Sequence, residues 1–168
     1  MKKIRVFTDG SCSYNPGPGG WAAVFEIDGE CRVLRGNDAN TTNNRMELRA
    51  VIEAYRRIVS RKVKALRRVE DYEIHSDSAY VVNAITLGWL DKWRRKGWQN
   101  DRGEPTKNKD MWRELATLLE MADAAGMRIT VHKVKGHAGN PLNEMADKIA
   151  VEETEKAKAR SDEHGNAR

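Results

Sequence analysis

The apolar residues of this chain switch spacing along its length, from alternation to helical repeat and back, and that order of periods leaves few folds open. Ile4 and Val6 alternate with Lys3 and Arg5, and Phe7 leads into Thr8-Asp9-Gly10, which predicts a strand with Asp9 at its C-terminal end. Ala23, Phe25 and Ile27 share a face of a second strand, Asp28-Gly29 supplies the chemistry of a tight hairpin, and Cys31 and Val33 open a third strand. The first three strands are therefore expected to be antiparallel. Leu48, Val51, Ile52, Tyr55, Ile58 and Val59 then fall at helical spacing behind a polar capping run, Thr41 to Asn44. Val69 to Ser76 reads as a fourth strand, and a helical crossover before it favours parallel pairing. A short helix over Ala79 to Thr86, a helix marked by Trp112, Leu115, Leu119 and Ala122, and a fifth strand with Ile129 and Val131 follow. Asn140 caps a last helix with Pro141 in its first turn and a stripe of Leu142, Met145, Ala146, Ile149 and Ala150. The expected fold class is α/β, one domain with a five-stranded mixed sheet flanked by helices.

Composition narrows the function. With 168 residues the chain is long enough for one ordinary core. Its long stretches without a charge, Gly10 to Phe25 with 16 residues and Ser78 to Leu90 with 13, are short of the ~20 apolar residues that span a bilayer. Met1-Lys2-Lys3 runs straight into strand alternation with no apolar signal region, so a cytoplasmic chain with no membrane partner is expected. Cys12 and Cys31 have no metal-type spacing and allow one bridge at most. No phosphate-binding glycine loop, complete dinucleotide fingerprint or zinc motif occurs, so a nucleotide cofactor is not expected.

The formal net charge is +5, and its distribution says more than its sum. Arg56 to Arg68 carries seven cations and no anion, and Lys92 to Lys109 carries seven cations against Asp101 and Glu104. Trp89, Trp93 and Trp98 interleave with Lys92, Arg94, Arg95 and Lys96, a mixture that suits phosphate neutralisation and ring stacking on nucleic acid. The same runs also fit solvated helix ends, and Trp89 and Trp93 one helix face on the core, so at least one of the three rings is expected to be structural.

Four carboxylates mark the candidate chemistry. Asp9 and Asp77 each fall where a strand gives way to a loop or helix, the place where open α/β sheets bind ligands. Side by side on parallel neighbours they would repel, and a divalent cation would resolve the conflict. Each also has a structural reading: Asp9 as a turn residue, Asp77 as a helix N-cap, and Glu47 as the closing residue of an Asn44-x-x-Glu47 capping box. Asp147 lies about 140° around the helical wheel from Leu142, beside the apolar stripe. His137, in Lys135-Gly136-His137-Ala138-Gly139, is an imidazole able to move protons near neutral pH, or simply an exposed histidine.

Taken together, these motifs resemble ribonuclease H of the bacterial type I family. Thr8-Asp9-Gly10-Ser11 with Asn15-Pro16-Gly17-Pro18-Gly19-Gly20-Trp21, Thr41-Thr42-Asn43-Asn44-Arg45-Met46-Glu47-Leu48, Ser76-Asp77-Ser78 with Tyr80-Val81, and Val134-Lys135-Gly136-His137-Ala138-Gly139 with Asn143-Glu144 and Asp147 stand in the family's order from about Lys3 to Ile149. The resemblance implies the ribonuclease H-like fold, a catalytic domain over 1–151 and a monomer acting on RNA/DNA hybrids; beyond Val151 the sequence itself reads as a charged helical tail, partly disordered, over 152–168. It implies that Asp9, Glu47, Asp77 and Asp147 ligate two Mg²⁺ ions, with Mn²⁺ a possible substitute, and that His137 assists proton transfer or product departure. By the same resemblance Cys12, Asn43 and Asn44 read the ribose 2′-OH, Asn15 and Thr42 form a DNA-phosphate pocket, and Trp89, Trp93, Arg94, Arg95, Lys96 and Trp98 form a basic protrusion gripping the DNA strand. RNA cleavage leaving 5′-phosphate and 3′-hydroxyl ends follows; a non-catalytic binding module or a DNA-processing nuclease or integrase on the same fold are the alternatives. Three departures stand out: Ala79 where many relatives have glutamine, a Glu47-to-Asp77 segment about eight residues longer than the common pattern, and no hybrid-binding domain ahead of the first strand.

Overall fold

The structure, a computed structural model, describes residues 3–60, 66, 71–134 and 140–166, the last three without their side chains. Five strands and five helices follow one another as β1 (Lys3–Cys12), β2 (Gly17–Ile27), β3 (Glu30–Thr41), α1 (Asn43–Ser60), β4 (Asp71–Ser76), α2 (Ala79–Thr86), α3 (Trp89–Arg95), α4 (Lys109–Ala124), β5 (Arg128–Lys133) and α5 (Pro141–Asn166). They build one mixed sheet in the order β3-β2-β1-β4-β5. The β1–β2 and β2–β3 pairs are antiparallel, while β1–β4 and β4–β5 are parallel, as the alternation and crossovers require. No helix among the described residues is long and apolar enough to cross a membrane.

Each face of the sheet buries a different set of side chains. On one face Ile4, Val6, Phe25 and Ile27 pack with Leu48, Ile52 and Tyr55 of α1 and with Trp112 and Leu115 of α4. On the other, Phe7, Ala22 and Val24 pack with Ala146, Ile149 and Ala150 of α5. The central strand β1 is thus covered on both faces, which fixes everything mounted on it.

Several elements run further than apolar periodicity shows. The Gly17–Gly20 run lies inside β2, and β3 continues through Asn37, Asp38 and Asn40 to Thr41. Backbone pairing carries both stretches: Gly20 pairs with Asn37 and Trp21 with Gly36, so the ladder persists where no apolar side chain marks it. Met145 does not belong to the buried stripe of α5; it is exposed, and the buried face continues instead through Glu153, Thr154 and Ala157. α5 continues without a break past Val151, where the sequence reads as a helical tail. Of the basic run, Arg61, Lys62, Lys64, Arg67 and Arg68 lie outside the described residues, as does His137.

The glycine at position 20 is a close-approach residue. A Cβ there would stand 2.5 Å from Glu153 Cβ, 2.6 Å from the Ala150 carbonyl and 2.6 Å from the Thr154 nitrogen. Two of these are helix backbone, which has no way to yield locally. Gly20→Ala is therefore expected to destabilise the protein by about 1–3 kcal/mol, the usual cost of overpacking, seen as a lower urea midpoint at unchanged slope.

Candidate active site

Parallel pairing of β1 with β4 ends at Thr8 and Ser76, so Asp9 and Asp77 emerge side by side from neighbouring strands. Glu47, one turn into α1, completes the group: one carboxylate oxygen from each of Asp9, Glu47 and Asp77 lies within 4.8 Å of the others. Asp9 and Glu47 are each only 5% exposed, whereas Asp77 opens to solvent. Asp147, on the first turns of α5, reaches the Asp9 carboxyl from the other side and is itself exposed.

The structural readings of these acids fall away one by one. Thr42, not Asn44, caps α1, its Oγ1 accepting the Arg45 amide at 3.2 Å, and Glu47 turns toward Asp9 rather than back to a cap. Ser78 caps α2 by accepting the Val81 amide at 3.2 Å, leaving Asp77 outside the cap. Asn140 caps α5, with Oδ1 accepting the Leu142 amide at 3.0 Å, and so orients the helix that carries Asp147.

Gly10 explains how Glu47 reaches β1. A Cβ at position 10 would lie 2.3 Å from the Glu47 nitrogen and 2.4 Å from the Met46 carbonyl carbon, so only glycine lets the first turn of α1 rest on the strand. Arg45 then ties that turn to α4, donating to Asn108 Oδ1 at 3.2 Å and, through both terminal nitrogens, to Asp110 at 3.0 and 2.7 Å. Asn108 in turn donates to the Tyr80 hydroxyl at 3.0 Å, which also accepts Trp112 Nε1 at 2.9 Å. Sequence reasoning did not single out Gly10, Arg45, Asn108 or Tyr80 as supports. The glycine directly after Asp9 in a strand was the one local signal; the others are joined only by the fold.

Burial and mutual repulsion set the electrostatics. Asp9 is pushed up to about 7, chiefly by burial, with the Asp77 charge and Asp147 adding to it against hydrogen bonds from Glu47 and the Gly10 amide. Glu47 is held well above the usual carboxylate range, again first by burial and then by Asp9 and Asp77. Its buried Oε2 meets no hydrogen-bond donor among the described residues. An orphaned oxygen beside like charges is the donor set that a hard divalent cation satisfies.

Comparison with known proteins now settles the family. The RNase H family model matches residues 1–155. This chain belongs to the ribonuclease H family. The ribonuclease H of Caldicellulosiruptor saccharolyticus is 43% identical over 150 residues, spanning 89% of this chain and 94% of that one. A ribonuclease H of Thermus thermophilus is 45% identical over 149 residues, covering 89% and 82%. Among solved structures, LC9-RNase H1, a type 1 RNase H with the type 2 active-site motif, matches with TM-score 0.74 at 30% identity, covering 94% of this chain and 74% of that one. The fold of LC11-RNase H1, solved in complex with an RNA/DNA hybrid, matches with TM-score 0.64 at 22% identity over 92% and 98%.

Like the carboxylates, the other ribonuclease H candidates cluster in space. Asn15 Oδ1 accepts the Asn43 amide at 3.1 Å, and the Cys12 thiol lies 3.5 Å from the Thr41 carbonyl while donating to that of Tyr14. Cys12, Asn15, Thr42, Asn43 and Asn44 thus gather around the N-terminus of α1, one turn from Glu47. Burial raises the Cys12 thiol, so it stands there as a protonated donor. The tryptophans divide between two tasks. Trp93 packs on the core, 5.3 Å ring to ring from Trp112, and Trp98 is also packed there, whereas Trp89 is exposed. Arg94 pairs with Glu120 and Lys96 with Asp101, while Arg95, among the described residues, donates only to the Asp91 carbonyl.

Because the folded state holds the Asp9 proton more tightly than the unfolded chain does, native molecules carry excess protons between about pH 4 and pH 7. Stability of the metal-free protein should fall as pH rises through that window, and the raised Glu47 carboxyl adds to the fall in the same direction. Asp9→Asn should flatten the slope and raise the melting temperature at pH 8, the difference being on the order of 3 kcal/mol. Urea denaturation in EDTA from pH 4 to 8 reads both; an unchanged or lower melting temperature at pH 8 contradicts the account.

Proposed function

We propose that the chain is an endonuclease that hydrolyses the RNA strand of RNA/DNA hybrids and leaves 5′-phosphate and 3′-hydroxyl ends. The observation that carries this reading is the cluster of Asp9, Glu47 and Asp77, with Asp147 at its edge, at the strand ends of a ribonuclease H family member. All four acids come from one chain, which supports action as a monomer, and we place that action in the cytoplasm. The relatives it resembles bear the name ribonuclease H, and one neighbouring fold was solved with an RNA/DNA hybrid.

Asp9, Glu47, Asp77 and Asp147 fit two divalent ions, Mg²⁺ before Mn²⁺, because all are hard oxygen donors and the buried Glu47 Oε2 has no hydrogen-bond partner among the described residues. Bound there, such ions supply charge neutralisation and Lewis-acid activation for an in-line phosphodiester displacement. The protein holds the acids in place before substrate arrives, through the β1–β4 register and the Gly10 contact. The polar groups around the α1 N-terminus lie one turn from Glu47, and Cys12, Asn43 and Asn44 are assigned to the ribose 2′-OH, which distinguishes RNA from DNA. Asn15 and Thr42 beside them are assigned to a DNA phosphate at the helix N-terminus. His137 is assigned to carrying a proton at the leaving oxygen or to product departure. Trp89 through Trp98 is assigned to the DNA strand, with Trp89 offering the exposed ring and Trp93 and Trp98 anchoring the segment to the core.

Incubation of an RNA strand annealed to DNA, with Mg²⁺ or with EDTA, beside the same RNA alone, as an RNA duplex and beside a DNA duplex, is expected to show Mg²⁺-dependent cutting of the hybrid only. Asp9→Asn should abolish it. Binding without cutting in Mg²⁺ or Mn²⁺ would leave a non-catalytic module, and cutting of DNA would overturn the substrate. Replacing Arg94, Arg95 and Lys96 together by Ala should weaken hybrid binding and flatten its salt dependence by one to about three phosphate contacts. Arg95, with no carboxylate partner among the described residues, accounts for the first; the other two must leave Glu120 and Asp101 to contribute. An unaltered slope returns the segment to a solvated face.

A further inference from the structure

We propose that Glu153 is a positioning residue for Asp147, fixing the axial register of α5 on the sheet so that Asp147 stands against Asp9. The proposal rests on the reading of Asp147 as a metal ligand.

α5 packs on the sheet through a small apolar cluster, Phe7, Ala22 and Val24 against Ala146, Ile149 and Ala150, and its backbone comes into direct contact with the strand at Gly20. Small residues allow that close approach but offer only shallow ridges and grooves where they meet. Polar contacts beside Gly20 add to the axial register. Glu153 is 4% exposed; its Oε2 accepts Arg35 Nε at 3.1 Å and its Oε1 accepts Asn37 Nδ2 at 3.0 Å. Lys156 on the same helix adds an ion pair at 2.8 Å, and a terminal nitrogen of Arg35 reaches Glu152 at 2.9 Å. Burial works against the Glu153 charge, but its hydrogen bonds to Lys156, Asn37 and Arg35 outweigh burial and keep it below the usual range.

The position of this lock relates directly to the active site. Arg35 pairs across the ladder with Ala22, and Ala22 with Asp9, so the lock on β3 and the carboxylate on β1 lie on one transverse row of the sheet. Asp147 precedes Glu153 by less than two turns, about 9 Å along the axis. Fixing Glu153 to that row therefore fixes how far along β1 Asp147 stands. A buried carboxylate anchoring a helix on a sheet in this way is a case in which a polar group specifies geometry rather than adding net stability. Residues beyond Val151 thereby take part in building the site instead of trailing from it.

The test is Mn²⁺ binding to the substrate-free protein, read from the free-ion signal in electron paramagnetic resonance, with the metal-free melting temperature as the folding control. Asp147→Asn should weaken binding, and Glu153→Ala should weaken it in the same direction by about tenfold, the common size of effect for a residue that orients a ligand. Glu153→Gln, which keeps an acceptor for Arg35, should recover most of the loss. Should Glu153→Ala fail to fold, Asn37→Ala removes one sheet-side contact and should give a smaller shift of the same sign. Wild-type affinity in the Glu153 and Asn37 variants beside a weakened Asp147→Asn overturns the positioning role alone. Unchanged affinity in Asp147→Asn itself overturns the ligand reading on which it stands.

Discussion

Repulsion among carboxylates is the constraint around which this molecule is organised. Asp9 and Glu47 are almost fully buried and Asp77 stands within 4.8 Å, an arrangement that metal-free protein would relieve if any of the three could move. None has that freedom. Asp9 sits on a strand paired on one side with β2 and covered on both faces, and Asp77 is set by a register that ends one residue earlier. Glu47 is held by a helix turn resting directly on Gly10 and tied to α4 through Arg45. The rest of the fold holds three like charges where a cation can use them.

How much of this is visible in the sequence depends on what carries each feature. The strands and the helices of the large core were legible because apolar side chains mark them at period two or 3.6. The rear of β2 and the end of β3 were not, since glycines and polar residues are held there by backbone pairing alone. The buried face of α5 was misread at Met145 for a related reason. Its true continuation runs through Glu153 and Thr154, polar residues whose burial depends on partners on β3 and on the helix's own backbone. The acids themselves were legible as a set. Taken singly, Glu47 and Asp77 had credible capping roles, and only the hydrogen bonds of Thr42 and Ser78 show that other residues fill them.

The basic tryptophan segment shows the same division between composition and geometry. Cations and rings interleaved in sequence suggest one uniform surface for nucleic acid. In space Trp93 and Trp98 face inward, Arg94 and Lys96 are paired with acids, and Trp89 and Arg95 remain outward. Exposed ion pairs of this kind contribute little to stability, so phosphate groups can replace their acidic partners at small cost. The segment is a ready-made but partly self-occupied cationic surface.

The supports of the site come in two mechanically different kinds. On the α1 side, close backbone contact at Gly10 and a bidentate Arg45–Asp110 pair leave almost no adjustment, which suits a buried Glu47 whose oxygen has a single use. On the α5 side, Asp147 is exposed, and the anchor lies on β3, two strands from the Asp9 that Asp147 faces. Asp9 and Glu47 are therefore held from within the core and Asp147 from its margin. A site so built keeps its buried acids rigid against repulsion while the fourth acid reaches in from solvent.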